Sequence, residues 1–359
     1  MPNSTCRLLS NGYKFDYHSN GTLRLRPCCL FSDSVEIDIH NDDNEQIEKY
    51  RDRISQLDSY QHDGCNQCNF FEKNNLRKTW RQVSFDIVPD TAPVADAVYL
   101  EIQIDNVCNG GCIICGPQHS SYWQNQLDIS IPIKSATRNS YIDRILKIVD
   151  IQKTRKILFL GGEPFLSDVD QQLLPLIQNP ELVDIQYTTN SSIYPSQDRI
   201  EYWKKFKSVL INFSIDGIGD KFEYIRYPLK WNIVQHNMFR MREQLPNNVS
   251  FKINHTVNVL NLFYHDEFDR WQKTNFSHDK HGKEIKYTFN PAAGLLDPRC
   301  VTEEMRALVL EKFGVDSTPY RTIRNVCPSN AAVINYLQQL DSKRKLDWRD
   351  VFREISNFV

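Results

Sequence analysis

The pattern of apolar and polar positions becomes regular from about residue 97 onward. Short apolar, β-rich runs recur at 98–104, 156–160, 182–188, 209–215, 249–257 and 285–289. Between them lie segments of helical length and spacing at 140–151, 169–177, 197–207, 231–244 and 263–273. Strands alternating with helices predict a parallel α/β sheet, open or partly closed into a barrel. In such sheets ligands gather at the carboxyl ends of the strands. The tail from Val301 reads as helical, interrupted by Gly314, Pro319 and Pro328.

Residues 1–95 read as a different unit. Tyr13-Lys-Phe-Asp-Tyr17, then Asn20-Gly21, then Leu23 and Leu25 predict a hairpin that runs into Cys28 and Cys29. A polar stretch from His40 opens a helix through about Leu57, with Asn41 or Asp42 near its N-cap. Pro89-Asp-Thr-Ala-Pro93 reads as a linker. The expected division is therefore 1–95, a barrel over 96–299, and a helical segment over 300–359.

Composition narrows the function classes. The 359 residues carry 43 Lys+Arg against 45 Asp+Glu, a balance that gives no sign of nucleic-acid binding. No apolar run approaches the roughly 20 residues of a membrane span, and the start lacks the order of a signal peptide. The expected compartment is the cytoplasm, where thiols stay reduced. Ten cysteines there need another explanation.

Their spacing supplies one. A lone cytosolic cysteine is ordinarily a small buried hydrophobe. Cys108-x3-Cys112-x2-Cys115 instead places three thiols within eight residues, close enough to converge on one metal centre. Structural zinc closes with four ligands, and an iron–sulfur cluster usually takes four thiolates. Three cysteines leave a position open, an arrangement suited to chemistry. The loop follows the first strand; Gly161-Gly162-Glu163-Pro164 follows the second, Thr188-Thr189-Asn190 ends the third and Ser214-Ile-Asp216-Gly217 ends the fourth. Val257-Asn258 closes the fifth. All would meet at one rim.

The three-cysteine loop followed by Gly-Gly-Glu-Pro at the next strand end resembles the radical S-adenosylmethionine (SAM) superfamily over roughly residues 97–290. The resemblance implies a partial (β/α)6 TIM-like barrel in which Cys108, Cys112 and Cys115 hold a [4Fe–4S] cluster whose open iron binds SAM. It further implies that Gly161, Gly162 and Glu163 receive the methionine amino group. Asn190, Ser214 and Asp216 would face the ribose or methionine end, although ordinary strand-end capping also explains Asn190 and Ser214. Arg226, in Tyr-Ile-Arg226-Tyr-Pro, resembles a family arginine near the SAM carboxylate, and Val257 and Asn258 lie where adenine is usually flanked. Many members place an aromatic residue before the last cysteine; here it is Ile114, so any adenine packing at that point is aliphatic.

Cys6-x21-Cys28-x36-Cys65-x2-Cys68 resembles a second module, the twitch form of the SPASM auxiliary-cluster domain, which in most relatives follows the barrel. It implies a second [4Fe–4S] cluster; an all-cysteine zinc site is the alternative. Hairpin phase lets only one of Cys28 and Cys29 point inward, and Cys28 is preferred. Cys29, Cys300 and Cys327 remain. Relatives that invert a carbon centre use a cysteine as hydrogen-atom donor, and Cys300, just past the sixth strand, is preferred to Cys327 for that role. The subgroup implies a reducing partner such as flavodoxin or ferredoxin and a ribosomally made peptide substrate, crosslinked or epimerised. A sugar or aminocyclitol is the second reading, and a non-catalytic iron–sulfur or zinc scaffold the third.

Overall fold

A computed structural model describes residues 6–17, 22–41, 44–73, 78–129, 135–324 and 331–357. Its strands are β1 (Gly12–Tyr17), β2 (Leu23–Arg26), β3 (Val35–Ile37), β4 (Tyr99–Gln103), β5 (Lys156–Phe159), β6 (Asp184–Thr189), β7 (Ser208–Ser214), β8 (Val249–Val257) and β9 (Tyr287–Pro291). They form one nine-stranded sheet in the order β3-β2-β1-β4-β5-β6-β7-β8-β9, with β3 and β9 as its open ends. β4 to β9 run parallel, and β1 joins β4 in parallel too. β2 and β3 add antiparallel. This is a mixed α/β fold around an unclosed, barrel-like sheet. Each of the six expected strands lies within two residues of its sequence-read bounds.

The helices differ more. Trp231–Gln244 matches its expected range, but the first crossover helix runs Ser135–Ile148. Asp150 then accepts from the Gln152 backbone N–H and starts a separate turn. The helix expected over 169–177 is regular only for Val169–Leu173, because Pro175 has no N–H to continue the ladder. The helix expected from Asn41 or Asp42 begins at Glu45, with Asn44 at the N-cap position, and Asp42 lies outside the described residues. Asn20 and Gly21 lie outside them as well, as does Pro328. Gly314, at φ +80°, ends Glu303–Phe313 as expected.

Sheet and core run continuously across the 89–93 segment. Phe15, Leu25 and Ile54 belong to the same apolar cluster as Ile102, Ile157 and Phe213. Within the sheet, β6 and β8 alternate strictly. Ile185, Tyr187 and Thr189 are buried, as are Val249, Phe251, Ile253, His255 and Val257, whereas Gln186, Thr188, Ser250, Lys252, Asn254 and Thr256 are half-exposed. Central parallel strands are usually apolar on both faces. Here one face is buried and largely apolar and the other is polar and half-exposed. A second apolar cluster joins Ile113 and Trp123 to Met305, Val333, Leu337 and Trp348, so the C-terminal helices pack on the rim rather than the sheet.

His255 breaks the apolar face of β8. Its ring is fully buried, stacked 3.9 Å from Phe268, and its Nδ1 lies 2.8 Å from the Ile215 carbonyl oxygen. Burial holds its pKa down to about 4, and His265 beside it is lowered to about 4, chiefly by burial and then by His255. Both rings bind protons more readily when unfolded. The stability they provide is complete above about pH 6.5 and is lost as pH falls toward 4. For His255 alone, the loss at full protonation is roughly 3 kcal/mol. Thermal melts at pH 7.5 and 5.5 should therefore separate in the wild type, and the separation should narrow in His255→Phe, where His265 alone still titrates; an unchanged separation refutes the assignment.

Candidate functional site

The loop after β4 is held almost atom by atom. Ser120 caps the helix Ser121–Leu127 by accepting from the Trp123 backbone N–H (3.3 Å) and donates to the Gly110 carbonyl (2.6 Å). The Ser121 hydroxyl accepts from the Cys108 backbone N–H at 3.1 Å. Gly111 and Ile113 donate their N–H groups to the Tyr227 and Ile225 carbonyls at 2.6 and 2.8 Å. Trp123 Nε1 donates to the Cys112 carbonyl at 2.9 Å, Tyr336 Oη to that of Ile113 at 2.8 Å, and Arg344 to that of Gly111 at 2.5 Å. Gly111 is required by close approach, since a Cβ there would lie 2.8 Å from the Tyr122 ring.

The loop brings the Cys108 and Cys112 thiols together. A Cβ built on Gly110 would lie 3.5 Å from Cys112 Sγ and 3.8 Å from Cys108 Sγ, so both sulfurs flank one α-carbon. Burial pushes the Cys108 and Cys115 thiols up to about 12, and the neighbouring Cys112 sulfur adds to both shifts. Burial raises Cys112 as well, opposed by Arg226, whose guanidinium donates to its sulfur at 3.9 Å.

The loop after β5 interlocks with it. Gly161 adopts φ +147°, a left-handed conformation that favours glycine. A Cβ on Gly162 would lie 2.2 Å from the Val107 carbonyl oxygen, which already accepts from the Glu163 N–H at 2.7 Å. The carbonyls of Gly161 and Gly162 accept no hydrogen bond among the described residues, and both residues are half-exposed. The Glu163 side chain is fully buried, accepting from Thr189 Oγ1 (2.6 Å), the Asn190 N–H (2.7 Å) and the Phe165 N–H (3.1 Å). In that position it braces β5 against the end of β6.

The other strand-end residues are placed as follows. Asn190 donates to Asn109 Oδ1 at 3.0 Å and accepts from Ser192, tying the end of β6 to the cysteine loop. Asp216 is fully buried, pairing with Arg226 at 2.7 Å and accepting from the Thr256 N–H at 2.8 Å. The two form an ion pair next to Cys112. Val257 and Asn258 are also fully buried; Asn258 Oδ1 caps the following turn through the Leu260 N–H at 2.9 Å. Ser214 stays half-exposed at its strand end, opposite Asn254.

Comparison with known proteins agrees with this geometry. The Radical SAM superfamily model matches residues 102–262, from β4 past the end of β8, and so covers the cysteine loop and every strand end just described. Over these residues the chain is similar to a radical SAM domain. GTP 3',8-cyclase of Clostridium acetobutylicum is 29% identical over 121 residues, 33% of this chain and 35% of that protein. The GTP 3',8-cyclase of Pelotomaculum thermopropionicum is 27% identical over 121 residues, covering 33% and 34%. The matched stretch thus spans about a third of these curated relatives. Among solved structures, anSMEcpe with bound AdoMet overlaps 58% of this chain and 54% of its own, with 14% identity and TM-score 0.37. Streptococcus suis SuiB bound to S-adenosylmethionine overlaps 92% and 69%, with 13% identity and TM-score 0.36.

A radical SAM domain takes a [4Fe–4S] cluster and SAM. As placed, the three sulfurs do not converge on one ion, but their chemistry suits such a cluster: thiols whose anions repel one another need a cationic centre, and two arginines beside Cys112 offset the remaining negative charge. The uncapped Gly161 and Gly162 carbonyls fit a bound ammonium, which requires acceptors.

Outside the radical SAM domain, Cys6, Cys28, Cys65 and Cys68 line one small cavity with Phe31, Trp80 and Arg81. As placed, no three His, Cys, Asp or Glu side chains among the described residues converge on a single metal ion. Burial raises Cys6, Cys28 and Cys65, and each also feels a neighbouring cysteine of the set. Arg81 is buried beside them, its guanidinium 3.9 Å above the Tyr60 ring and bonded to Glu72 at 2.7 Å. Cys29 faces away, toward Glu101, Lys14 and Trp80. Cys300 is half-buried against the apolar cluster that also receives Ile114 and Cys115. Cys327 lies outside the described residues. Tyr336 and Arg344 carried no sequence signal, being 223 and 233 residues from the loop atoms they hold. No helix among the described residues is long and apolar enough to cross a membrane.

Proposed function

We propose that this protein reductively cleaves SAM and uses the product to take hydrogen from a substrate C–H bond, with Cys108, Cys112 and Cys115 as the cluster ligands. The observation that carries this is the gathering of Cys108 and Cys112 sulfurs about Gly110, over a buried Arg226–Asp216 pair. When bound, cluster and SAM together supply one-electron cleavage to methionine and a 5′-deoxyadenosyl radical. The chain's own residues hold the loop, offer the Gly161 and Gly162 carbonyls to the methionine ammonium, and shield the site from water through the C-terminal helices. A flavodoxin or ferredoxin supplies the electron. Anaerobic reconstitution, reduction with dithionite and addition of SAM should yield 5′-deoxyadenosine. A fully loaded protein that yields none sinks the reading and favours the scaffold.

The four-cysteine cavity supports a second, fully ligated cluster of the SPASM/twitch kind, and with it a ribosomally made peptide as substrate. Residual iron in a Cys108/Cys112/Cys115→Ala protein separates that cluster from zinc. The polar inner face, where Asn254 Oδ1 accepts from Thr288 and Asn290 at 2.9 and 2.5 Å, favours the second reading, a sugar or aminocyclitol. Cys300, packed against the same apolar cluster as Cys115, is the proposed hydrogen-atom donor. Cys300→Ala is then expected to lose at least about 100-fold in epimerised product while 5′-deoxyadenosine continues to form. Undiminished product removes Cys300 from the mechanism.

A further inference from the structure

Arg344 ends the helix Ala331–Arg344, well beyond the matched domain, yet its side chain reaches the centre of the cysteine loop. It is 7% exposed. Its guanidinium lies between two rings, 4.9 Å from Trp123 and 4.8 Å from Tyr227, and donates to the Gly111 carbonyl and to Gln126 Oε1. Both acceptors are neutral, and Nε has no hydrogen-bond partner among the described residues. Asp341, a carboxylate that feels its charge, is engaged by Tyr224 Oη at 2.8 Å and the Trp348 N–H at 2.9 Å. A guanidinium buried this way lacks a counter-charge, which is costly. Cys112 is the metal-ligand candidate that feels its charge.

We propose that Arg344 is a positioning and potential-setting residue for the cluster that Cys108, Cys112 and Cys115 would hold, an inference that rests on the function proposed above. Three thiolates around a [4Fe–4S] core leave a net negative charge, and one-electron reduction adds another. A fixed cation favours the reduced form and raises the potential, one of the ways in which protein charge tunes such centres. The same side chain fixes Gly111 in place, and Tyr336 does the same for Ile113 without adding charge. The C-terminal segment therefore makes the cluster easier to reduce, in addition to covering it.

The test compares the reconstituted full chain with Arg344→Met, Arg344→Lys and Tyr336→Phe, following the SAM-responsive reduced-cluster signal by electron paramagnetic resonance during a redox titration. At the wild-type midpoint, Arg344→Met should lower the ratio of reduced to oxidised cluster about tenfold, equivalent to about 59 mV for one electron. Arg344→Lys and Tyr336→Phe should stay near wild type. An Arg344→Met protein with the wild-type ratio overturns the proposal. If that variant loads no iron, Arg344→Lys decides: loading with the wild-type ratio supports the role of the charge, and failure to load overturns it. A wild type without any SAM-responsive signal overturns the proposed function itself, and this inference with it.

Discussion

The Gly162→Ala protein is expected to lose iron from the Cys108–Cys115 loop and to form 5′-deoxyadenosine at least about a thousandfold more slowly than wild type. The added Cβ would meet only backbone: Val107 O at 2.2 Å, Val107 C at 2.5 Å and Asn106 C at 2.7 Å. None of these can rotate aside, and relief requires a shift of about 1 Å in the segment leading directly into Cys108. Reacting groups misplaced by that much lose about a hundredfold even without ligand loss. The Glu163 N–H bond to the Val107 carbonyl would break with the same shift. Gly116→Ala is the control, because nothing lies within 4 Å of a Cβ at that position. Iron content and 5′-deoxyadenosine formation measure both proteins. A Gly162→Ala protein with full iron and normal turnover refutes the interlocked-loop account.

The second large effect separates two adjacent cysteines. Cys28→Ala is expected to remove about four irons per chain, one cluster's complement, while Cys29→Ala retains them. The two residues follow β2 in a bend and turn, where the Phe31 N–H donates to the Cys28 carbonyl at 3.3 Å. Cys28 shares its cavity with Cys6, Cys65 and Cys68, whereas Cys29 faces Glu101 and Lys14, themselves a buried ion pair at 2.6 Å. Loss of iron in Cys29→Ala with full retention in Cys28→Ala reverses the assignment. Zinc in place of iron in the wild type favours the all-cysteine zinc site and ends the two-cluster reading.

Much of this was legible from local pattern. β4 to β9 were readable because each is a short β-rich run bounded by turn signals, and the cysteine loop because its three ligands are neighbours in sequence. The roles of the strand-end residues were harder to read, because a motif names a position and not the direction of a side chain. Glu163 and Asp216 occupy the expected positions, yet their carboxylates turn inward, to the end of β6 and to Arg226. Arg344 and Tyr336 were invisible for a different reason. They lie on a helix whose polar positions look like any solvated face until the fold carries them to a loop more than 200 residues away.

The parallel pairing of β1 with β4 also bears on how the chain is made. β1 carries Tyr13, Phe15 and Tyr17, and leaves the ribosome with β2 as its only possible neighbour. Its other partner begins at Tyr99, opposite Gly12 and 87 residues later. At about 5–20 residues per second, that edge waits roughly 4 to 17 s for its mate. An unpaired apolar edge is a template for association with other chains. Slow translation between residues 18 and 98 would therefore lower the soluble yield, and a barrel fragment starting at residue 96 would carry the complementary exposed edge on β4.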